Sequence, residues 1–303
     1  MRIADCGMWF SHSAIRIPHS AFVCAMNYQT LELTVTGAVA TVTLNRPEVF
    51  NAFNEVAIAE LEDCISVLGD RDEPRVIVLA ARGKCFSAGA DLDWMKRMAE
   101  LPYAANFDDA YRLAAMLRTI DTCPKPVIAR VQGDAFGGGV GLISVSDIAV
   151  AVETASFSLS EVKLGLIPAT ISPYVIRAIG ARAARRYFVT AERFAAIEAH
   201  RIGLVHEVVT GDRLDPTVQS IVAAISQNGP HAVITTKKLI HDIDGRPVSE
   251  EVLLDTAERI AQTRASEEAR EGIRAFLEKR SPAWRQNGPD FASQDSPSSN
   301  SNP

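Results

Sequence analysis

The segment AFGGGVGLISVSD (residues 135–147) carries four glycines in five consecutive positions and is otherwise largely apolar. Glycine lets a ligand or another chain segment approach the backbone closely, and it adopts backbone angles that larger residues avoid. A second loop, FSAGAD (residues 86–91), has a similar design. Each loop follows a strand pattern and precedes an apolar stretch that can continue as a helix. The two loops therefore predict backbone N–H groups at or near helix N-termini, which favour oxygen anions.

Nucleotide-binding loops fit these residues poorly. A Rossmann fingerprint begun in the glycine run needs its third glycine where Leu142 stands. A Walker loop fails because Gly83-Lys84 is followed by Cys85. Two converging N–H donors would instead form an oxyanion hole. In acyl-transfer or enolate chemistry, each donor stabilises the negative charge on oxygen in the transition state by roughly a few kcal/mol. Each loop taken alone is also typical of tight packing between a strand and a helix.

Strand and helix patterns alternate through the first half of the chain and predict a mixed α/β core. LELTVTG and VATVTL alternate with period two around Gly37 and predict a hairpin. NEVAIAELEDCISVL predicts a helix with Asn54 as its N-cap. RVIVLAA, KPVIARV and DIAVAV predict strands, and helices are expected near residues 92–98 and 107–120. From about Ser172 onward helical patterns dominate. The helix predicted from NEVAIAELEDCISVL would have an apolar face made of Ala57, Leu61, Cys64, Ile65 and Leu68.

Composition excludes several classes of protein. The 303 residues are 47% hydrophobic and 22% charged, which is typical of a folded globular chain. A net charge of −6 argues against a nucleic-acid partner. No apolar run reaches the ~20 residues of a membrane span. The five dispersed cysteines lack CxxC spacing and fit a reduced, cytoplasmic setting, and the six histidines lack the spacing of a metal site.

The two ends of the chain differ from its middle. Residues 1–26 lack periodic structure and are expected to be a poorly structured arm or a spurious extension. Residues 288–303 are rich in Ser, Asn and Pro and are expected to form a disordered tail. The folded part should therefore lie between them.

Five motifs follow one another in register: LNRPEVFNAF, FSAGADL, AFGGGVGLISVSDIAVA, FSLSEVKLGLIP and EGIRAFLEKR. Together they resemble the enoyl-CoA hydratase/isomerase (crotonase) family across roughly residues 28–285. The resemblance implies an α/β fold, the crotonase-type β-β-α spiral with a helical C-terminal region. It implies a spiral core over 27–220, a helical trimerisation region over 221–287, and a homotrimer or homohexamer. The implied substrate is an acyl-CoA thioester, with no cofactor beyond the CoA of the substrate.

The resemblance also implies roles for individual residues. The backbone N–H groups of Ala90 and Gly138 would form the oxyanion hole, and Glu161 would be the acid/base. Hydratases of the family commonly have a second glutamate two residues after GGG, where this chain has Gly141. The CoA and acyl pocket would be lined by Ala52, Ala88, Asp91, Leu92 and Gly141.

A single glutamate leaves three functions open. The favoured one is hydration of an α,β-unsaturated CoA thioester. The stretch LGLIPATISPYV is similar to the bacterial methylglutaconyl-CoA and isoprenoid glutaconyl-CoA hydratases, which act in leucine or terpene breakdown. The alternatives are a Δ3,Δ2-enoyl-CoA isomerase, which needs one carboxylate, and a non-catalytic family member that binds CoA or RNA.

Basic residues are candidates for binding the charged parts of such a substrate. Arg46, Arg97, Arg177 and Arg182 are candidates to pair with a carboxylate on the acyl group. Lys237 and Lys238 are candidates to contact the CoA phosphates, although an exposed helix face also explains them.

Overall fold

The computed structural model describes residues 27–286, and the expected N-terminal arm and C-terminal tail lie outside them. The strands are β1 (Leu31–Thr36), β2 (Val39–Leu44), β3 (Val76–Ala81), β4 (Cys85–Ser87), β5 (Val127–Val131), β6 (Asp134–Phe136), β7 (Ile148–Val152), β8 (Ser156–Ser158), β9 (Phe194–Ala195) and β10 (Glu207–Val209). The α-helices are α1 (Glu55–Gly69), α2 (Leu92–Ala99), α3 (Tyr103–Asp121), α4 (Gly138–Val145), α5 (Ser172–Thr190), α6 (Ala196–Arg201), α7 (Leu214–Ser226), α8 (Pro230–Ile243), α9 (Glu250–Ala265), α10 (Glu267–Leu277) and α11 (Ala283–Gln286). Short 3₁₀ helices lie at Pro47–Val49, Glu161–Leu164 and Gly211–Arg213.

The strands form two sheets. The larger sheet has the order β1-β2-β3-β5-β7-β10, and the smaller one has the order β4-β6-β8-β9. Within the described residues only the pairs β1–β2 and β8–β9 are antiparallel. Three times in succession the chain adds a strand to the large sheet, a strand to the small sheet and then helical structure. This repeat is the predicted crotonase-type β-β-α spiral, so the fold class is confirmed.

The predicted hairpin and first helix are both present. β1 and β2 pair across the turn at Gly37, and the Asn54 side chain accepts a hydrogen bond from the Ala57 N–H at 2.9 Å. Each large aliphatic side chain on the predicted apolar face is fully buried, which stabilises the fold by roughly 1.5–3 kcal/mol per residue. The helix therefore fixes the segment that precedes it, residues 46–54, against the core.

The C-terminal part is helical, as expected, with two short strands among the helices. β9 pairs with β8, and β10 extends the large sheet alongside β7. These strands have two and three residues, too few to show an alternating pattern in the sequence. Helix α7 runs through residues 220 and 221, where the domain boundary was expected. None of the helices in residues 27–286 is long and apolar enough to cross a membrane.

The crossover from the large sheet to the small sheet is tightly packed. Gly133 lies between β5 and β6, and a Cβ added there would stand 1.9 Å from the Lys84 carbonyl oxygen. Lys84 lies in the neighbouring crossover, between β3 and β4. Because these crossovers touch through their backbones, they fix the spacing of β4 and β6, which lead into the two glycine loops.

Replacing Gly133 by alanine should therefore destabilise the protein. A backbone carbonyl cannot move aside as a side chain can, so we expect Gly133→Ala to lower the free energy of unfolding by about 2–3 kcal/mol. Gly211→Ala is the matched control, because no atom of residues 27–286 lies within 4 Å of a Cβ at that position. Urea unfolding measures both variants, and equal losses would contradict this description of the crossover.

Candidate active site

The two glycine loops lie side by side. β4 and β6 pair in parallel, so the loops that follow them leave the same edge of the small sheet. Gly89 has φ +86°, and a Cβ there would stand 2.8 Å from the Phe136 carbonyl oxygen and 3.5 Å from the Gly138 nitrogen. Both the angle and the space require glycine. As a result, no side chain separates the backbone at Gly89-Ala90 from the backbone at Gly138.

The Ala90 N–H is directed away from the neighbouring chain segment. The Phe53 N–H donates to the Gly89 carbonyl at 2.6 Å, and the Asp91 N–H donates to the Phe53 carbonyl at 2.8 Å. A trans peptide points its C=O and its N–H in opposite directions. Since the Gly89 carbonyl faces Phe53, the Ala90 N–H faces the other side. No acceptor within residues 27–286 takes this hydrogen bond, and Ala90 is exposed.

The Gly138 N–H is the first backbone donor of α4. Gly137 is the N-cap and offers no side-chain oxygen, and the first bond of the helix runs from the Gly141 N–H to the Gly137 carbonyl at 3.1 Å. The Gly138 N–H has no acceptor in the described part of the chain. It lies where the helix dipole is positive. The structure thus brings together the two N–H groups that the sequence predicts as oxyanion donors.

Phe53 contacts both residues that carry the donor N–H groups, Ala90 and Gly138. The sequence did not predict a role for it. Its backbone pairs with Ala90, and its ring packs on the other loop: a Cβ added to Gly138 would stand 2.9 Å from Cε2 of Phe53. The side chain is 2% exposed. Phe53 lies inside the motif LNRPEVFNAF, but a single aromatic residue beside a helix N-cap carries no periodic signal. Only the fold reveals that it contacts both loops.

Glu161 lies beside the N-terminus of α4. It begins the 3₁₀ helix after β8, and a Cβ added to Gly137 (φ +49°) would stand 2.9 Å from its Oε1. Its Oε2 is buried without a hydrogen-bond partner in the described residues. Burial raises the pKa of Glu161, and a hydrogen bond from its own backbone N–H opposes this in part. A carboxyl group with a raised pKa is a stronger base than an ordinary carboxylate, and it can return the proton that it accepts.

Asp91 and Arg46 form a structural pair behind the first loop. Asp91 caps α2 by accepting hydrogen bonds from the backbone N–H groups of Asp93 and Trp94, and it pairs with Arg46 at 2.9 Å. Burial by itself would raise the pKa of Asp91, but these hydrogen bonds outweigh it and lower the pKa. Arg46 also donates to the Ala52 carbonyl at 2.6 Å. Through Arg46, Asp91 of the first loop is therefore tied to Ala52 and the rest of segment 46–54.

The remaining predicted pocket residues differ in their exposure. Leu92 is 74% exposed at the start of α2, directly after the first oxyanion donor. Ala88 is half-buried, and its N–H donates to the Phe50 carbonyl at 2.9 Å. Gly141 is buried, and a Cβ added to it would meet Ile171 at 2.4 Å. Leu92 and Ala88 are therefore the pocket candidates that solvent still reaches.

Most of the basic candidates are engaged in ion pairs. Arg97 pairs with Glu55 at 2.7 Å, and Arg177 pairs with Asp121. Arg182 is exposed and has no partner among residues 27–286. Lys237 donates to Asp147 at 2.6 Å and to the Lys125 carbonyl at 3.1 Å, and Lys238 pairs with Asp242 at 2.8 Å. With Arg46, which pairs with Asp91, the candidates number six, and of these only Arg182 carries a charge without a partner in the described part.

Two N–H groups without acceptors in the described residues lie beside the Glu161 carboxyl group, on a β-β-α spiral, which is the arrangement that the resemblance to the crotonase family implies. The chain belongs to the enoyl-CoA hydratase/isomerase family, whose model matches residues 34–287. It is an enzyme of the enoyl-CoA hydratase type, which argues against the non-catalytic alternative.

Individual relatives cover nearly the whole described chain. The crystal structure of an enoyl-CoA hydratase from Shewanella pealeana is 44% identical, has a TM-score of 0.84, and covers 88% of this chain and 100% of that one. AtuE of Pseudomonas aeruginosa is 33% identical with a TM-score of 0.81, covering 84% and 99%. The mevalonyl-coenzyme A hydratase of Aspergillus fumigatus is 34% identical over 82% of this chain and 92% of its own.

The contact between Gly137 and Glu161 yields a prediction. A methyl group at position 137 would displace the carboxyl group of Glu161, so Gly137→Ala should lower kcat at least about 10-fold in turnover of an acyl-CoA substrate. Gly245→Ala is the control, because Gly245 also has positive φ (+73°) but its Cβ position has no atom of the described residues within 4 Å. Steady-state kinetics at equal folded fraction separates the two variants. A similar kcat in both would show that the contact with Glu161 does not matter.

Proposed function

We propose that this enzyme adds water across the double bond of a 2-enoyl-CoA thioester, with Ala90 and Gly138 as oxyanion donors and Glu161 as the acid/base. The observation that carries this proposal is the Oε2 atom of Glu161, which is buried without a hydrogen-bond partner, beside two N–H groups that also lack acceptors within residues 27–286. A buried carboxylate oxygen without a partner is costly in a folded protein. A bound thioester carbonyl and a water molecule would satisfy them.

The two N–H groups act on the carbonyl oxygen. When water adds to C3, the electron pair of the C2=C3 bond moves toward the thioester oxygen, which becomes an enolate. Hydrogen bonds from Ala90 and Gly138 stabilise this developing charge, and removal of one such donor typically costs 10²–10³ in kcat. The positive end of α4 adds to the same effect.

Glu161 alone can balance the protons of this reaction. It takes one proton from water while the water oxygen bonds to C3. It then returns that proton to C2, and the enolate collapses to the carbonyl. No net proton is gained or lost, so a second carboxylate is not required for stoichiometry. The raised pKa of Glu161 suits both halves of this transfer.

A branched acyl group of the methylglutaconyl type is the finer proposal for the substrate. The similarity to a mevalonyl-coenzyme A hydratase supports a branched acyl group. Among the arginines considered for an acyl carboxylate, Arg182 is the one without a partner in the described part, so it is the remaining candidate of the four.

We propose a homotrimer or homohexamer as the working assembly, since exposed apolar side chains such as Leu254 and Phe276 lie on α9 and α10.

A Δ3,Δ2-enoyl-CoA isomerase is the second candidate, and the single carboxylate favours it. Moving a proton from C2 to C4 of an enoyl chain needs the same oxyanion donors and one acid/base. The two candidates therefore differ in whether a water molecule can reach C3, and substrates distinguish them directly.

A panel of three substrates tests the proposed function. We expect the purified full-length chain to hydrate crotonyl-CoA and 3-methylglutaconyl-CoA, measured as loss of the enoyl thioester absorbance with formation of the 3-hydroxy product by mass spectrometry. Turnover of a 3-enoyl-CoA to its 2-enoyl isomer without any hydration would replace this proposal by the isomerase. A ratio of kcat/KM that favours 3-methylglutaconyl-CoA would support the branched substrate.

Replacing Glu161 by glutamine should separate catalysis from folding. We expect Glu161→Gln to lower kcat about 10²–10⁴-fold with little change in acyl-CoA binding. Glu153→Gln, at an exposed turn between β7 and β8, is the control. Normal turnover in Glu161→Gln would mean that another group moves the proton.

The raised pKa of Glu161 predicts two effects of pH. Hydration needs the base form of Glu161. As the pH is lowered, kcat/KM should therefore begin to fall at a higher pH than it would with an ordinary carboxyl group. Because the pKa in the folded state exceeds that in the unfolded state, folding loses stability as the pH rises through the folded pKa. Glu161→Gln should therefore raise Tm at neutral pH and have less effect in acid. A Tm gain confined to acid would contradict the raised pKa.

A further inference from the structure

Position 141 lies on the same face of α4 as Gly137, which Glu161 contacts. It lies three and four residues after Gly138 and Gly137 on α4, so the three positions share one face of the helix. Helical side chains lean toward the N-terminus. A long side chain at position 141 would therefore extend back over Gly137, against which Oε1 of Glu161 lies.

Ile171 fills the space that such a side chain needs. A Cβ added to Gly141 would stand 2.4 Å from Cγ2 and 3.1 Å from Cβ of Ile171. Ile171 cannot easily yield, because it is 2% exposed and forms the N-cap of α5. Its carbonyl accepts hydrogen bonds from the N–H groups of Tyr174 and Val175 at 3.2 and 3.0 Å.

We infer that Ile171 is the residue that keeps a second carboxylate out of the active site, and so leaves Glu161 alone to take the proton from water and return it to C2. This inference rests on the proposed function and adds a structural reason why Glu161 acts without a second carboxylate. Ile171 is a positioning residue, because it acts through the space beside α4. The absence of a side chain at position 141 is then a consequence of packing between α4 and α5.

Two double variants test the inference, and they differ only in whether residue 171 keeps its two γ-carbons. Ile171→Val keeps the Cγ2 group that blocks position 141, whereas Ile171→Ala removes it. We expect Gly141→Glu alone to lower Tm by at least about 5 °C, and Gly141→Glu/Ile171→Val to remain similarly destabilised. Gly141→Glu/Ile171→Ala should recover a Tm equal to or above that of Ile171→Ala alone. Equal Tm values for the two double variants would overturn the inference.

A kinetic readout distinguishes this role from simple packing. Glu161→Gln in the Gly141→Glu/Ile171→Ala background should hydrate crotonyl-CoA at least about 10-fold faster than Glu161→Gln alone, because the new carboxylate reaches the water. With both glutamates present, the pH profile of kcat/KM should also shift, since two nearby carboxyl groups titrate as a pair.

The outcomes separate the two proposals. If Glu161→Gln alone keeps normal turnover, the proposed role of Glu161 fails. If Glu161→Gln is inactive and the folded Gly141→Glu/Ile171→Ala background gives no rescue, the proposed role of Glu161 stands. In that case a side chain at position 141 does not reach the reacting atoms, and the inference about Ile171 is overturned.

Discussion

The pairing of Phe53 with the first glycine loop is the interaction on which the site depends. Two backbone hydrogen bonds, to Gly89 and from Asp91, orient the peptide between them and turn the Ala90 N–H toward open space. The ring of the same residue packs against Gly138, the donor on the second loop. One buried residue, through its backbone and its ring, thus sets the relative position of both donors. Helix α1, anchored by its Asn54 cap and its buried face, holds Phe53 in place.

The electrostatic properties of the site reflect the lack of charged side chains around Glu161 in the described residues. Burial raises the pKa of Glu161, and no charged neighbour in the described part contributes to that shift. The positive potential comes from the N-terminus of α4 instead of from a cation. Arg46 and Lys237, which the sequence offers as ligand-binding residues, are committed to ion pairs that join distant segments. The site is therefore built from backbone dipoles and one carboxyl group.

Much of the fold could be predicted from the sequence, because its signals are local. The hairpin around Gly37, the cap at Asn54 and the alternation of strands with helices all come from patterns within a few residues. Contacts between distant segments could not be predicted in this way. The pair between Arg46 and Asp91 spans 45 positions, and the contact of Gly141 with Ile171 joins two helices. The sequence identified Gly141 as the position without the expected glutamate, and the packing of Ile171 supplies the physical reason.

The most direct test of the site is the vibrational spectrum of a bound thioester carbonyl. Glu161→Gln should bind crotonyl-CoA without rapid turnover, so isotope-edited infrared difference spectroscopy with a ¹³C-labelled carbonyl can observe the complex. If the Ala90 and Gly138 N–H groups converge on this oxygen, the C=O stretch should lie at lower frequency than for the same thioester in water. A carbonyl frequency equal to or above that in water would contradict an oxyanion hole at these two residues.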